Sequence, residues 1–77
     1  MGKSHKTLIK ASYFFRMKLV KYIPHPTVSI EEDGINEKCL KIHLDNPSKS
    51  LLDNINECIN ETFIRFGVKT KIRKYIF

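Results

Sequence analysis

Phosphate recognition is the chemistry that the residue types and spacing of this chain offer. From Val68 to Phe77 apolar residues alternate with cations and rings. Val68, Thr70, Ile72 and Ile76 fall on one side of an extended strand, Lys69, Lys71, Arg73, Tyr75 and Phe77 fall on the other, and Lys74 is out of pattern. A strand that shows cations and rings together binds phosphates by charge and bases by stacking. The plainer reading of the same lysines is an edge strand guarded against unwanted pairing. Other chemistries lack their parts. His5, His25 and His43 are scattered, and His25 is pinned between Pro24 and Pro26 with no acid or nucleophile near it in sequence. Cys39 and Cys58 make no CxxC, and no Cys/His set has the spacing of metal ligands. Gly2, Lys3 and Ser4 resemble the end of a phosphate-binding loop, but no strand and glycine-rich turn precede them. Ser48 and Ser50 stand at a helix start, where capping accounts for them. The expectation is a non-enzyme with no cofactor and no metal.

Charge carries the same argument to the whole chain. The 77 residues have a net charge of +6, unevenly placed. All eight acids lie between Glu31 and Glu61. Ahead of them stand Lys3, Lys6, Lys10, Arg16, Lys18 and Lys21 with no acid among them, and behind them Arg65, Lys69, Lys71, Arg73 and Lys74, again with none. A chain that is basic at both ends around an acidic middle suits a polyanionic partner, RNA above all. Lys69, Lys71, Arg73 and Lys74 form one expected RNA-binding patch, and Lys3, Lys6, Lys10, Arg16 and Lys18 a second. The acid-free, hydroxyl-containing start also fits a mitochondrial targeting segment, with a plain RNA-binding arm as the equal alternative. The two isolated cysteines suggest a reducing compartment, and no apolar run is long enough to span a membrane.

These residues need elements to hold them. The strongest helix pattern is Ser48 to Gly67. Leu51, Leu52, Ile55, Cys58, Ile59, Thr62, Phe63 and Phe66 recur at steps of three and four and so share one side. Asn46 can cap its first turn, Pro47 fits that turn, and Gly67 suits the left-handed residue that ends it. So wide a stripe needs cover, either from this chain's own sheet or from a partner reached through Leu51, Ile55, Ile59 and Phe63. Residues 1–10 read as a basic arm and 11–77 as one small domain. Thr7 to Tyr22 reads as a helix on Leu8, Ala11, Phe15, Leu19 and Tyr22, although Phe15, Met17 and Leu19 also alternate as a strand would. Pro24 and Pro26 make a rigid corner after it. Val28 and Ile30, then Leu40, Ile42 and Leu44, mark two strands that turn near Asp33 and Gly34. A two-residue turn would put the two apolar sets on opposite faces. A loop of about five residues pairs Ile30 with Leu40 and keeps them together. The expected fold is therefore α/β (α+β), a sheet of about three strands packed against two helices in the order α-β-β-α-β. A chain of this length buries only about 60% of its unfolded surface, which favours a place in a larger assembly.

Three stretches resemble the small thioredoxin-like proteins of the mitochondrial ribosome, a family that also includes a small subunit of respiratory complex I. Ala11-Ser-Tyr-Phe-Phe-Arg-Met-Lys-Leu-Val-Lys-Tyr22 is similar to that family's first helix. Pro24-His-Pro-Thr-Val-Ser-Ile30 is similar to its Asn-Pro-x-Val-x-Ile lead into a strand, with His25 where Asn is usual. Phe66-Gly-Val-Lys-Thr-Lys-Ile-Arg-Lys74 is similar to its Ser-Gly-x-Lys-x-x-Arg-Lys segment. The family's strand ahead of the first helix has no counterpart, so the resemblance implies a reduced thioredoxin-like sheet. It also implies a structural role without redox chemistry in the mitochondrial matrix, with ribosomal RNA and neighbouring ribosomal proteins as partners and no membrane. Tyr22-Ile-Pro-His-Pro26, two strands and the helix from Ser48 also resemble the small assembly subunit of archaeal and nuclear RNA polymerases. That likeness implies protein–protein contacts through the helix stripe and a cytoplasmic or nuclear location.

Overall fold

A computed structural model describes residues 4–35 and 37–77. Five elements follow one another: α1 (His5–Leu19), β1 (Thr27–Glu32), β2 (Lys38–Asp45), α2 (Lys49–Phe66) and β3 (Thr70–Tyr75). The order is α-β-β-α-β, as expected. The strands lie in the order β1-β2-β3, with β1 antiparallel and β3 parallel to β2. Both helices pack on one face of this sheet, where Leu8, Ala11, Phe15 and Leu19 meet Leu40, Ile42, Leu44, Ile55, Cys58 and Val68.

Helix α1 starts earlier than its pattern suggested. The Ser4 hydroxyl accepts from the Thr7 N–H at 3.2 Å, which caps the first turn and brings residues 5–10 into the helix. Most of the segment read as an arm is therefore folded, with Leu8 fully buried at its centre. The helix stops at Leu19, and Tyr22, expected on the buried face, lies beyond it and 42% exposed.

The β1–β2 hairpin has the longer loop that its pattern demands. Ile30 faces Leu40 and Glu32 faces Lys38, so the pairing ends at Glu32 and Lys38 and excludes a two-residue turn. Gly34, between the strands, takes a φ of +83°. Helix α2 is capped by Ser48, whose hydroxyl accepts from the Leu51 N–H at 3.1 Å, and not by Asn46. Pro47 accordingly stands ahead of the cap and not in the first turn. Asn46 is left-handed at φ +44° and ties down the end of the sheet instead. Its N–H donates to the Tyr75 carbonyl at 2.7 Å, and its side-chain oxygen accepts from the Phe77 N–H at 2.9 Å. Gly67 ends α2 at φ +68°, as expected.

Strand β3 is shorter than its alternation. Its last pair is Tyr75 with Asp45. Beyond that point β2 has turned away, and Ile76 and Phe77 are left exposed.

Candidate nucleic-acid interface

The alternation that buries Leu40, Ile42 and Leu44 sends Lys41 and His43 to the opposite face of β2. The register does the rest. Ser29 faces Lys41 from β1, while Lys71 and Arg73 face Lys41 and His43 from β3. Among the described residues, no element covers this second face of the sheet. It therefore presents Lys41, His43, Lys71, Arg73 and Tyr75 side by side. Lys41, Lys71, Arg73, Lys74 and Tyr75 line a shallow groove of about 410 Å³ along it.

Two ion pairs fix one end of the face. Lys41 meets Glu31 at 2.7 Å, and Lys71 meets Asp33 at 2.6 Å. Together they roof over Cys39, which is fully buried although it points away from the main core. The hydrogen bond from Lys41, helped by one from Ser29, holds the Glu31 carboxyl below its usual range. The bond from Lys71 does the same for Asp33, and Asp33 in turn holds the Lys71 amine above its usual range. Burial pushes the Cys39 thiol up, as does the nearby Asp33 carboxylate. Burial likewise raises the Cys58 thiol.

The other end of the face is built from rings and an unpaired cation. His43 and Tyr75 stack with centroids 6.0 Å apart and planes 15° from parallel. His43 Nδ1 lies 3.2 Å from the Tyr75 hydroxyl and Nε2 lies 3.3 Å from the Ser29 hydroxyl, so the imidazole is held from both sides. The Arg73 guanidinium sits 5.5 Å over the Tyr75 ring and makes no ion pair among the described residues. Lys74 faces Leu44 on the helix side of the sheet, but its side chain is exposed at the groove end. A phosphate chain on this face would meet acids near the hairpin and Arg73, Lys74 and the two rings at the opposite end. Charge therefore orients it towards the end of β3.

No family model, curated protein or solved structure matches this chain.

The expected site residues do not converge on one surface. Lys71 and Arg73 lie on the open face, with Lys69 exposed at its margin. Lys6, Lys10 and Arg16 are exposed on α1, in the helical layer behind the sheet. Lys18 is engaged there by Glu61 at 3.0 Å and by the Phe14 ring at 5.4 Å. Lys3 lies outside the described residues. The two basic patches thus belong to opposite sides of the molecule. Lys41, His43 and Ser29, which were not among the expected residues, complete the sheet face. The alternation of β2 already pointed Lys41 and His43 away from Leu40 and Ile42. Only the parallel register, which no local pattern specifies, sets them beside Lys71 and Arg73.

The expected protein interface is mostly used internally. Ile55 is fully buried, and Leu51 and Ile59 pack against the core. Phe63 remains 45% exposed. The stripe finds its cover within the chain, on α1 and the shared core, because the two helices lie together on one face of the sheet. Among the described residues, no three His, Cys, Asp or Glu side chains gather as a set of metal ligands.

The perturbed groups define a stability profile in pH. Glu31 and Asp33 have depressed folded values, so their contribution is present above the ordinary carboxylate range of about 4. It is lost as pH falls through those depressed values. Lys71, Cys39 and Cys58 have raised values, so their contribution holds below the ordinary range and fades as pH rises through the raised values. For the thiols that fading begins above about 8.5. The thermal midpoint is expected to be flat between about pH 5 and 8.5 and to fall on both sides. In a Lys41→Met/Lys71→Met variant the acid limb should flatten while the thiol part of the alkaline limb persists. An acid limb of unchanged depth, followed by circular dichroism, would refute this assignment.

Proposed function

We propose that this protein is a structural, non-catalytic RNA-binding component of a ribonucleoprotein particle, a ribosomal protein in its simplest form. The observation that carries this reading is the open sheet face, where Lys41, Lys71, Arg73, His43 and Tyr75 lie together. Charge there attracts the phosphate chain, and the stacked rings of His43 and Tyr75 offer a platform for a base. The two ion pairs do not oppose the reading. Exposed pairs of this kind are weak and exchange readily with another anion. The basic side of α1 supports a second contact on the other side of the molecule, which suits a protein wedged between RNA segments. A place in the mitochondrial ribosome remains part of the proposal. It rests on the resemblance in Ala11–Tyr22, Pro24–Ile30 and Phe66–Lys74.

The test is filter binding of ribosomal RNA across a salt series, with Lys69, Lys71 and Arg73 changed to alanine. Each lost phosphate contact should lower the salt slope by about 0.7–0.9. The triple variant is therefore expected to lose at least tenfold in affinity at low salt and about two units of slope. Unchanged affinity and slope would remove β3 from the RNA contact.

A further inference from the structure

Strand β3 has a second free surface, distinct from its open face. It is an edge strand, paired with β2 on one side only. The Lys69 carbonyl accepts from the Leu40 N–H, and the Tyr75 carbonyl accepts from the Asn46 N–H. In an extended strand the N–H and C=O of one residue point the same way, and the direction alternates along the chain. The backbone groups of Lys69, Lys71, Arg73 and Tyr75 therefore face β2. Those of Thr70, Ile72 and Lys74 face outward, with no strand beyond them among the described residues.

Beside this edge runs an apolar groove of about 440 Å³ between β3 and α2. Ile59 and the half-exposed Phe63 line it, with Asn56, Asn60 and Thr70. The Thr70 hydroxyl oxygen is out of reach of solvent and has no hydrogen-bond partner. An unmet buried hydroxyl is costly, and Thr70 is one of the residues that line the groove. The charge around the edge is mostly positive: Asp33, paired with Lys71 at 2.6 Å, is the one acid that lines the groove, against Lys69 and Lys71. Lys69, Lys71, Arg73 and Lys74 belong to the segment and no acid does. Lysines on an edge repel most strands, and by the same physics they favour an acidic one.

We infer that the outer edge of β3 takes up an extended, acidic segment of a partner protein as a fourth strand. Its backbone pairs with Thr70, Ile72 and Lys74. Its apolar side chains enter the groove over Ile59 and Phe63, and its carboxylates lie along Lys71 and Arg73 on the open face. This is strand addition to a sheet edge, in which main-chain bonds give affinity and alternate side chains give selectivity. It does not rest on the RNA reading.

The probe is a fluorescein-labelled, end-blocked heptapeptide, Glu-Val-Glu-Ile-Glu-Val-Glu, titrated with the full chain by anisotropy. The control is the same composition in the order Glu-Glu-Val-Ile-Val-Glu-Glu. The alternating peptide is expected to bind at least tenfold more tightly than the control. Phe63→Ala and Lys74→Pro should each lower its affinity at least fivefold, and Lys74→Ala by less than Lys74→Pro, because proline also removes the outward N–H. Binding of a labelled oligouridylate should change less than twofold in Phe63→Ala, which separates this site from the RNA face. Equal binding of the two peptides, or full binding by Phe63→Ala, would overturn the inference. So would sedimentation showing that the free chain already self-associates through this edge in a manner that Lys74→Pro abolishes, since the occupant would then be a second copy.

Discussion

Phe15→Ala is expected to cost about 3–5 kcal/mol and to lower the thermal midpoint by on the order of 20 °C. Phe15 is the largest fully buried side chain, and it lies on the α1 face that meets β2 and α2. Removing its ring leaves a cavity that the thin core has few side chains to refill. A domain of this size has only about 4–12 kcal/mol of stability in all. The variant should therefore be marginal at room temperature, with a urea midpoint well below that of the parent. Met17→Ala is the matched control. Met17 stands two residues along the same helix but is 70% exposed, so its loss should fall within about 0.5 kcal/mol. Urea titrations of both variants decide the matter. Equal midpoints would mean that α1 is an appended arm and not a member of the core.

That contrast also shows what a reader of the sequence could see. Leu8, Ala11, Phe15 and Leu19 repeat at helical steps, and all four are fully buried. The strand alternative through Phe15, Met17 and Leu19 fails because Met17 points to solvent while its two neighbours do not. The hairpin loop was legible for a similar reason. Only an odd spacing keeps Val28, Ile30, Leu40 and Ile42 on one face, and a one-residue slip would expose half of them. Element ends were harder, because they turn on single side chains. Ser4 and Asn46 are both capping residues by type. Ser4 caps its helix, whereas Asn46 is held in a left-handed turn by the end of β3, a contact made across 29 residues of chain. The site was legible only in part, since Lys71 and Arg73 gain Lys41 and His43 as neighbours through a parallel pairing that α2 must first bridge.

The placement of the charges follows from this layering. Two helices on one side of a three-stranded sheet leave its other side without a hydrophobic task. The alternate residues of β2 and β3 on that side are free to be Lys41, His43, Lys71 and Arg73 without any conflict with folding. The basic residues of α1 are free for the same reason, on the outward side of a helix whose inward side is fixed by Phe15. Two basic surfaces on opposite sides are thus what one small core with a single helical layer allows. A single continuous patch would have needed the cations of α1 to lie in the core.

Ile55→Ala gives the second large effect and separates the two uses proposed for the α2 stripe. Ile55 is fully buried in the core shared with α1 and β2, so its truncation should cost about 2–5 kcal/mol. Phe63, two stripe positions further along the same helix face, is 45% exposed and should cost about 1 kcal/mol or less on truncation. If the stripe faced another protein, as in a polymerase assembly subunit, the isolated chain would tolerate both changes alike. In this fold Ile55→Ala lowers the urea midpoint of the chain on its own, with no partner added, while Phe63→Ala leaves it nearly unchanged. The difference arises because Ile55 lies within the core, whereas Phe63 lines the groove beside β3. The same helix thus closes the core at its middle and leaves one aromatic ring available outside it.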